Sequence, residues 1–197
     1  MKLFYTKRSP YARKVRVVAL EKGIDLELQE EDLTAKSEEL LRLNPVGKIP
    51  VLAADDGTVL CDSSVICEYL EDYQKQPAMV PDAPAPYWRM VNLDAVAKGL
   101  TDVTVAVFYE KLIHPEDYHA KFIANKEETI VRTLKYLDAH VSDLKDFNMA
   151  AAATACAIGY IQFRARYLWP QNSCQRLTQW YDEISQRESL QQTVPVA

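Results

Sequence analysis

Four prolines, Pro77, Pro81, Pro84 and Pro86, crowd residues 76–86, and the pattern of the chain changes across them. Each fixes φ and removes a backbone donor, so neither a regular helix nor a central strand runs through this stretch. Before it, short strand-like runs take turns with short amphipathic ones. Beyond it, apolar residues follow helical spacing alone. A chain divided in this way is expected to fold as an α/β N-terminal domain followed by an all-α helical bundle. Its 197 residues suffice for two small domains with cores of their own. The expected boundaries are 1–76 for the first domain, 77–86 for the linker and 87–197 for the helical domain.

In the first part, Leu3-Phe4-Tyr5 reads as a strand. Ser9 then caps a helix with Pro10 at its first position, and Gly23 closes it. Val15, Val17 and Val18 lean toward strand by propensity, so this helix rests on its caps and its length. Leu26-Glu27-Leu28 alternates like a second strand, and residues 37–43 form a short helix that ends before Pro45. Val51-Leu52-Ala53 and Thr58-Val59-Leu60-Cys61 flank Asp55-Asp56-Gly57, which predicts a hairpin. Residues 63–73 return to helical spacing, with Val65, Ile66, Tyr69 and Leu70 on one face. The order βαβ followed by αββα predicts a small mixed sheet covered by helices.

In the second part, residues 87–112 and 118–144 read as long helices. Ile130, Leu134, Leu137, Val141 and Leu144 keep one stripe. Residues 149–161 are apolar nearly all round, the mark of a helix buried in the middle of a bundle, and a last helix is expected over 173–187.

A net charge of −5 with no basic stripe argues against a nucleic-acid binder. The longest apolar run, 149–161, is too short to span a bilayer, and Met1-Lys2-Leu3-Phe4-Tyr5 runs straight into charged residues rather than a secretion signal. A cytoplasmic protein that engages no membrane is expected. Cys61, Cys67, Cys156 and Cys174 are scattered without a CxxC pair, and His114, His119 and His140 show no ligand spacing with them. Reduced, mostly buried thiols and no metal are expected.

Three short segments carry chemistry. Ser9-Pro10-Tyr11-Ala12 has the layout of a thiol-handling helix start, Cys-Pro-Tyr-Cys, with neither cysteine. A serine there caps the helix through its oxygen and still has a proton to donate, and the helix N-terminus favours an anion beside it. In Asn44-Pro45-Val46-Gly47-Lys48-Ile49-Pro50-Val51-Leu52, Pro45 and Gly47 are turn residues, and Pro50 opens a strand in a tight corner, which makes it a candidate cis bond. Asp62-Ser63 sits between a strand and a helix, where either residue can supply the N-cap. The pair also fits a carboxylate site, with helix N–H groups and the Ser63 hydroxyl on the anion and Asp62 on a nearby amine.

In this order and spacing, these segments resemble those of cytosolic glutathione transferases, and the likeness covers essentially the whole chain. It is closest in kind to serine-type bacterial members and to plant tau-class enzymes, which carry a Ser-Pro-Phe or Ser-Pro-Tyr helix start. The resemblance implies a thioredoxin-like N-terminal domain that binds glutathione as co-substrate, and a helical domain that forms the electrophile side of the site. It gives Ser9 the catalytic role of hydrogen-bonding the glutathione sulfur. Pro50 would be the family's cis-proline, with the Ile49 backbone pairing the cysteinyl unit and Lys48 meeting the glycine end. Asp62 and Ser63 would hold the γ-glutamyl amine and carboxylate. The region around Tyr11 would line the pocket for a small hydrophobic electrophile; Phe108 and Tyr109 could face it, or equally belong to the bundle core or a dimer surface, the reading the residues by themselves favour. A homodimer with a detoxifying transferase activity is implied, with the surroundings of Asp62 close to the partner chain. Glutathione-dependent peroxidase chemistry, or a non-catalytic regulatory or binding use of the fold, are the alternatives.

Two departures from the family pattern stand out. Asp62 occupies a position where the family usually has Glu or Gln, so its reach to an amine is shorter by one methylene. The buried helix of the second domain opens on Asn148 with Ala151 three positions on, so the cap of the family's capping box is kept without its reciprocal carboxylate.

Overall fold

The computed structural model describes residues 1–196 other than 145 and 171. The chain divides into two compact units, Met1–Met79 with Glu188–Ala197, and Val80–Arg187.

The first unit is built on a four-stranded sheet in the order β2-β1-β3-β4. The strands are β1 (Lys2–Tyr5), β2 (Glu27–Glu30), β3 (Val51–Ala53) and β4 (Val59–Cys61), and the helices are α1 (Pro10–Glu21), α2 (Glu38–Leu43) and α3 (Ser63–Tyr73). β1 runs parallel to β2 and antiparallel to β3, which forms the expected hairpin with β4. Gly57 turns that hairpin at φ +88°, a conformation that glycine adopts without penalty. Side chains alternate across the sheet, and both faces of its middle are buried. Phe4 and Val51 point toward Leu40 of α2, with Leu43, Ile49, Ala53 and Cys61 packed around them. Leu3 and Leu52 face the other way and are equally shut from water. β2 is exposed along its whole length, as befits an edge strand carrying two glutamates.

α1, α2 and α3 each start on a side-chain cap. Ser9 accepts from the Ala12 N–H, Ser37 from Leu40 and Asp62 from Ser64. α1 packs against α3. Just past the end of α1, the fully buried ammonium of Lys22 pairs with Glu71 Oε2 of α3 at 2.6 Å. It also donates to the carbonyls of Gln74 at 2.7 Å and Pro77 at 2.9 Å. The Met79 N–H donates to the same Glu71 carboxylate. One buried cation thus ties α1, α3 and the segment beyond α3, which contains the cis bond Gln76–Pro77.

The helices of the second unit are α4 (Pro84–Ile113), α5 (Ala120–Ala139), α6 (Met149–Arg164) and α7 (Gln175–Ile184), with 3-10 turns at Val141–Leu144 and Arg166–Leu168. α6 is its axis, buried at every residue from Met149 to Ile161. Its run of alanines lets neighbours approach closely, and α4 packs along it. Asn148 caps α6 through the Ala151 N–H at 3.0 Å. α7 has no cap from its own preceding residue, Cys174. Asp138 near the end of α5 accepts from the Leu177 N–H at 2.7 Å and supplies one. No helix among the described residues is long and apolar enough to cross a membrane.

Three details differ from the sequence reading. Pro84 occupies the first turn of α4, where a missing N–H costs nothing, so the helix begins there rather than at residue 87. The pattern over 118–144 breaks after Ala139 into a separate 3-10 turn. The final residues return to the first unit rather than staying with the helical part. There Arg13 of α1 donates to the Leu190 carbonyl at 3.1 Å and the Thr193 hydroxyl at 3.3 Å, and Ser189, on the short α8 (Glu188–Gln191), donates to Glu21.

Lys22→Ala leaves the Glu71 carboxylate without its buried partner, and breaking such a pair costs about 3–5 kcal/mol. Urea denaturation is expected to show that loss, with proteolysis near residues 74–79 accelerated. Asn148→Ala is expected to cost about 1–2 kcal/mol, with Asn148→Asp restoring most of it in the same assay.

Candidate functional site

The strand register dictates where the three chemical segments meet. Phe4 of β1 pairs with Val51 of β3, and Val51 pairs with Cys61 of β4. β3 runs opposite to both neighbours, so the start of β3 lies beside the ends of β1 and β4. The turn carrying Ser9 leaves the end of β1, the Ile49–Pro50 bond leads into β3, and Asp62-Ser63 follows β4. All three therefore occupy one end of the sheet, where both α1 and α3 begin. Helix N-termini carry unpaired N–H groups and partial positive charge, so this end of the unit attracts anions.

Ser9 is held by three backbone contacts. Its N–H donates to Thr6 O at 3.2 Å, its carbonyl accepts from Arg13 at 3.0 Å, and its Oγ accepts from the Ala12 N–H at 3.2 Å. The hydroxyl proton has no acceptor among the described residues. Pro10 is buried behind it and Tyr11 is half-buried beside it. Ser9 thus offers a fixed oxygen whose proton is unspent among the described residues.

The approach to β3 is organised by Asn44, a residue whose part the sequence reading did not separate from the turn around it. Its Oδ1 accepts from the Val46 N–H at 3.1 Å, its Nδ2 donates to Lys48 O at 2.9 Å, and its carbonyl accepts from Gly47. These bonds clamp the loop from both sides. Gly47 sits at φ +64° with the Lys36 side chain and Leu41 against it, where a Cβ would have neither the backbone region nor the room. Beyond the clamp, Ile49–Pro50 is cis, as its corner position predicts, and Ile49 packs on the Phe4–Leu40–Val51 core. Lys48 is exposed and has no carboxylate partner among the described residues.

Asp62 is the N-cap of α3, accepting from the Ser64 N–H at 2.8 Å, and it holds φ +76°. That conformation is uncommon outside glycine. Ser63 is buried, yet its hydroxyl bonds to no described residue. Cys61, next to this pair, bonds weakly to Leu43 O, and burial pushes its thiol up, away from the reactive thiolate form.

The remaining two residues of the expected site, Phe108 and Tyr109, lie on α4 in the second unit. Phe108 is half-buried and meets Tyr109 and Tyr160 edge-on, with ring centroids 5.4 and 6.5 Å away, while Tyr109 is exposed. Among the described residues, no group of three or more His, Cys, Asp or Glu is placed to hold a metal ion.

Known proteins share both units. Residues 8–73 match the family model for the glutathione S-transferase N-terminal domain. An uncharacterized GST-like protein of Escherichia coli is 34% identical over 168 residues, which cover 83% of each chain. A glutathione transferase family member from Pseudomonas fluorescens, solved with bound glutathione, superimposes at a TM-score of 0.91 and 36% identity over 100% of this chain and 99% of its own. The same bacterial protein has been solved with S-(propanoic acid)-glutathione, again at 36% identity. A glutathione S-transferase from Methylobacillus flagellatus, with glutathione bound, gives 0.91 and 33% over 99% of both chains. Likeness of this depth across the sheet and the helical unit alike shows that the chain belongs to the glutathione S-transferase family.

Proposed function

We propose that this protein is a glutathione transferase that holds the glutathione sulfur as a thiolate at Ser9 and conjugates it to a small apolar electrophile. The observation that carries the reading is the Ser9 hydroxyl, whose oxygen already serves α1 while its proton is unspent, at the sheet end where two helices begin. The glutathione in the Pseudomonas and Methylobacillus relatives supports it, and so does the thioether in the former, where the glutathione sulfur carries a propanoic acid group.

In this reading the peptide lies across the three segments. The Ile49 backbone pairs with the cysteinyl unit. Lys48, without a carboxylate partner among the described residues, takes the glycine carboxylate. The Ser63 hydroxyl and the N-terminus of α3 take the γ-glutamyl carboxylate, and Asp62 takes the amine. Phe108 and Tyr109 of the second unit, and Tyr11 of the first, are the proposed electrophile contacts. Val65 and Tyr73, exposed on α3 beyond Ser63, belong in the same reading to a homodimer contact. The work is done in the cytoplasm.

The energetics close without a general base. A free thiol has a pKa of about 8.5, so little of it is nucleophilic at neutral pH. Lowering that by about 2 units takes roughly 2.7 kcal/mol of preference for the thiolate. A hydrogen bond to a charged group contributes about 1.5–3 kcal/mol, and a helix N-terminus about 0.3–1. Ser9 and α1 together supply the shift. The thiolate pair then forms the bond to carbon, and the electrophile's leaving group or π-bond takes up the displaced electrons.

Ser9→Ala is expected to raise the pKa of bound glutathione by about 1–2 units in a thiolate-absorbance titration. An unchanged titration removes Ser9 from this role. Asp62→Asn keeps the cap acceptor and deletes the charge. Calorimetry is expected to show glutathione affinity roughly tenfold weaker, with the folded signal unchanged. A wild-type protein that fails to bind millimolar glutathione would sink the transferase reading in favour of a non-catalytic use of the fold.

A further inference from the structure

Arg164 of the second unit has no carboxylate partner among the described residues. Arg164, the last residue of α6, places its guanidinium 4.3 Å from the centroid of the Phe108 ring and 3.9 Å from that of Phe163. Tyr160, one turn earlier on α6, is buried, is hydrogen-bonded with Arg164 and meets Phe108 edge-on. No carboxylate pairs with Arg164 among the described residues, and its Nε is shut from water without a hydrogen-bond partner. Lys22 and Lys111 have Glu71 and Glu127, and the buried Arg13 is taken up by the Leu190 carbonyl and the Thr193 hydroxyl. Arg164 is kept in place by the Phe108 and Phe163 rings and by the negative end of α6, to which its charge is suited.

Such an arrangement is incomplete on its own. A guanidinium carries five N–H donors in a planar fork that matches a carboxylate, and a half-buried one left unpaired is the group an incoming acid would satisfy. Tyr160 adds to the donor set. Burial pushes its phenol up to about 12, against the opposing pull of Arg164, so it keeps its proton throughout the physiological range. Phe108, Tyr109 and Phe163 add flat apolar surface next to these donors. The residues ask for a ligand with an aromatic or apolar body and one carboxylate.

We infer that the Phe108–Tyr160–Phe163–Arg164 cluster receives the carboxylate of the electrophile, so that the substrates of this protein are aromatic or apolar acids. This rests on the proposed reading in which the second unit supplies the electrophile surface. In the simplest such reaction, the glutathione thiolate attacks the benzylic carbon of para-(chloromethyl)benzoate. The S–C bond forms from the thiolate pair, the C–Cl bond breaks, and chloride leaves with its electrons. The substrate carboxylate stays ionised against Arg164.

The test compares para-(chloromethyl)benzoate with para-(chloromethyl)benzamide, which keeps the shape and the leaving group and lacks the charge. For the wild-type protein, kcat/KM is expected to favour the acid at least tenfold, since charge-assisted hydrogen bonds are at stake. In Arg164→Gln the ratio is expected to fall close to one, and Arg164→Lys retains part of it because the charge stays while the fork is lost. Binding of the unreactive pair para-ethylbenzoate and para-ethylbenzamide, measured by calorimetry without glutathione, separates this inference from the transferase reading. Equal handling of acid and amide by the wild-type protein, a comparison that needs no variant to fold, overturns the inference and leaves the transferase reading standing. An acid preference that survives intact in Arg164→Gln overturns it too. Benzoate binding that depends on Arg164, with neither chloride turned over, upholds the anion cluster and counts against the transferase reading instead.

Discussion

Everything at the candidate site depends on one row of the sheet, in which Val51 pairs with Phe4 on one side and Cys61 on the other. An antiparallel strand between two others must bring its beginning beside their ends. The turn to α1, the cis bond at Ile49–Pro50 and the turn to α3 are far apart in sequence, and this row alone gathers them. A slip of one residue would send Phe4 and Val51 to the wrong face and separate the segments, so the buried pattern that fixes the core also fixes the site. Packing and function are here one constraint.

The two helices that meet at that end need to be held at their far ends as well, and charge does part of this. Lys22 is the extreme case: a fully buried ammonium satisfied by one carboxylate and two carbonyls. Its value lies less in net stability, which a buried ion pair contributes weakly, than in direction. An apolar pair at the same place would tolerate sliding of α1 along α3, whereas three oxygens around one nitrogen do not. The tail makes a comparable contact. Arg13 is buried on α1 and draws the chain back to Leu190 and Thr193, so a helix that opens on Ser9 is braced along its length by polar bonds.

Local features were legible in the sequence wherever the cause was local. The Asp-Gly hairpin, the helix Ser63–Tyr73, the Ser9 and Asn148 caps and the cis Pro50 all follow from residues within a few positions of one another. Long-range features were not. Nothing near residue 190 announces a bond to Arg13, and the buried helix pattern over 149–161 says nothing about the arginine that follows it. Arg164 reads in sequence as the charged end of an apolar run, and only folding sets it against Phe108, which lies on a different helix. Asn44 falls between the two cases. Its spacing to Val46 and Lys48 is short enough to predict an Asx-type turn, but Pro45 and Gly47 dominate that stretch and explain the turn without it.

The absence of sulfur from Ser9-Pro10-Tyr11-Ala12 decides the kind of chemistry that this end of the sheet can support. A thiol here would form a mixed disulfide and be consumed at each turn until reduced. A hydroxyl forms no such bond, so it gives only a hydrogen bond and is unchanged by the reaction. Cys61 lies close in the fold, but burial holds it in the thiol form. In the proposed reaction the nucleophile therefore comes with the substrate. What the protein contributes is a fixed oxygen, two helix ends and a shaped surface, and the selectivity of the reaction moves to whatever orients the electrophile. In that proposal the shift gives Arg164, outside the proposed glutathione segments and without an ion-pair partner among the described residues, a role in selecting the substrate.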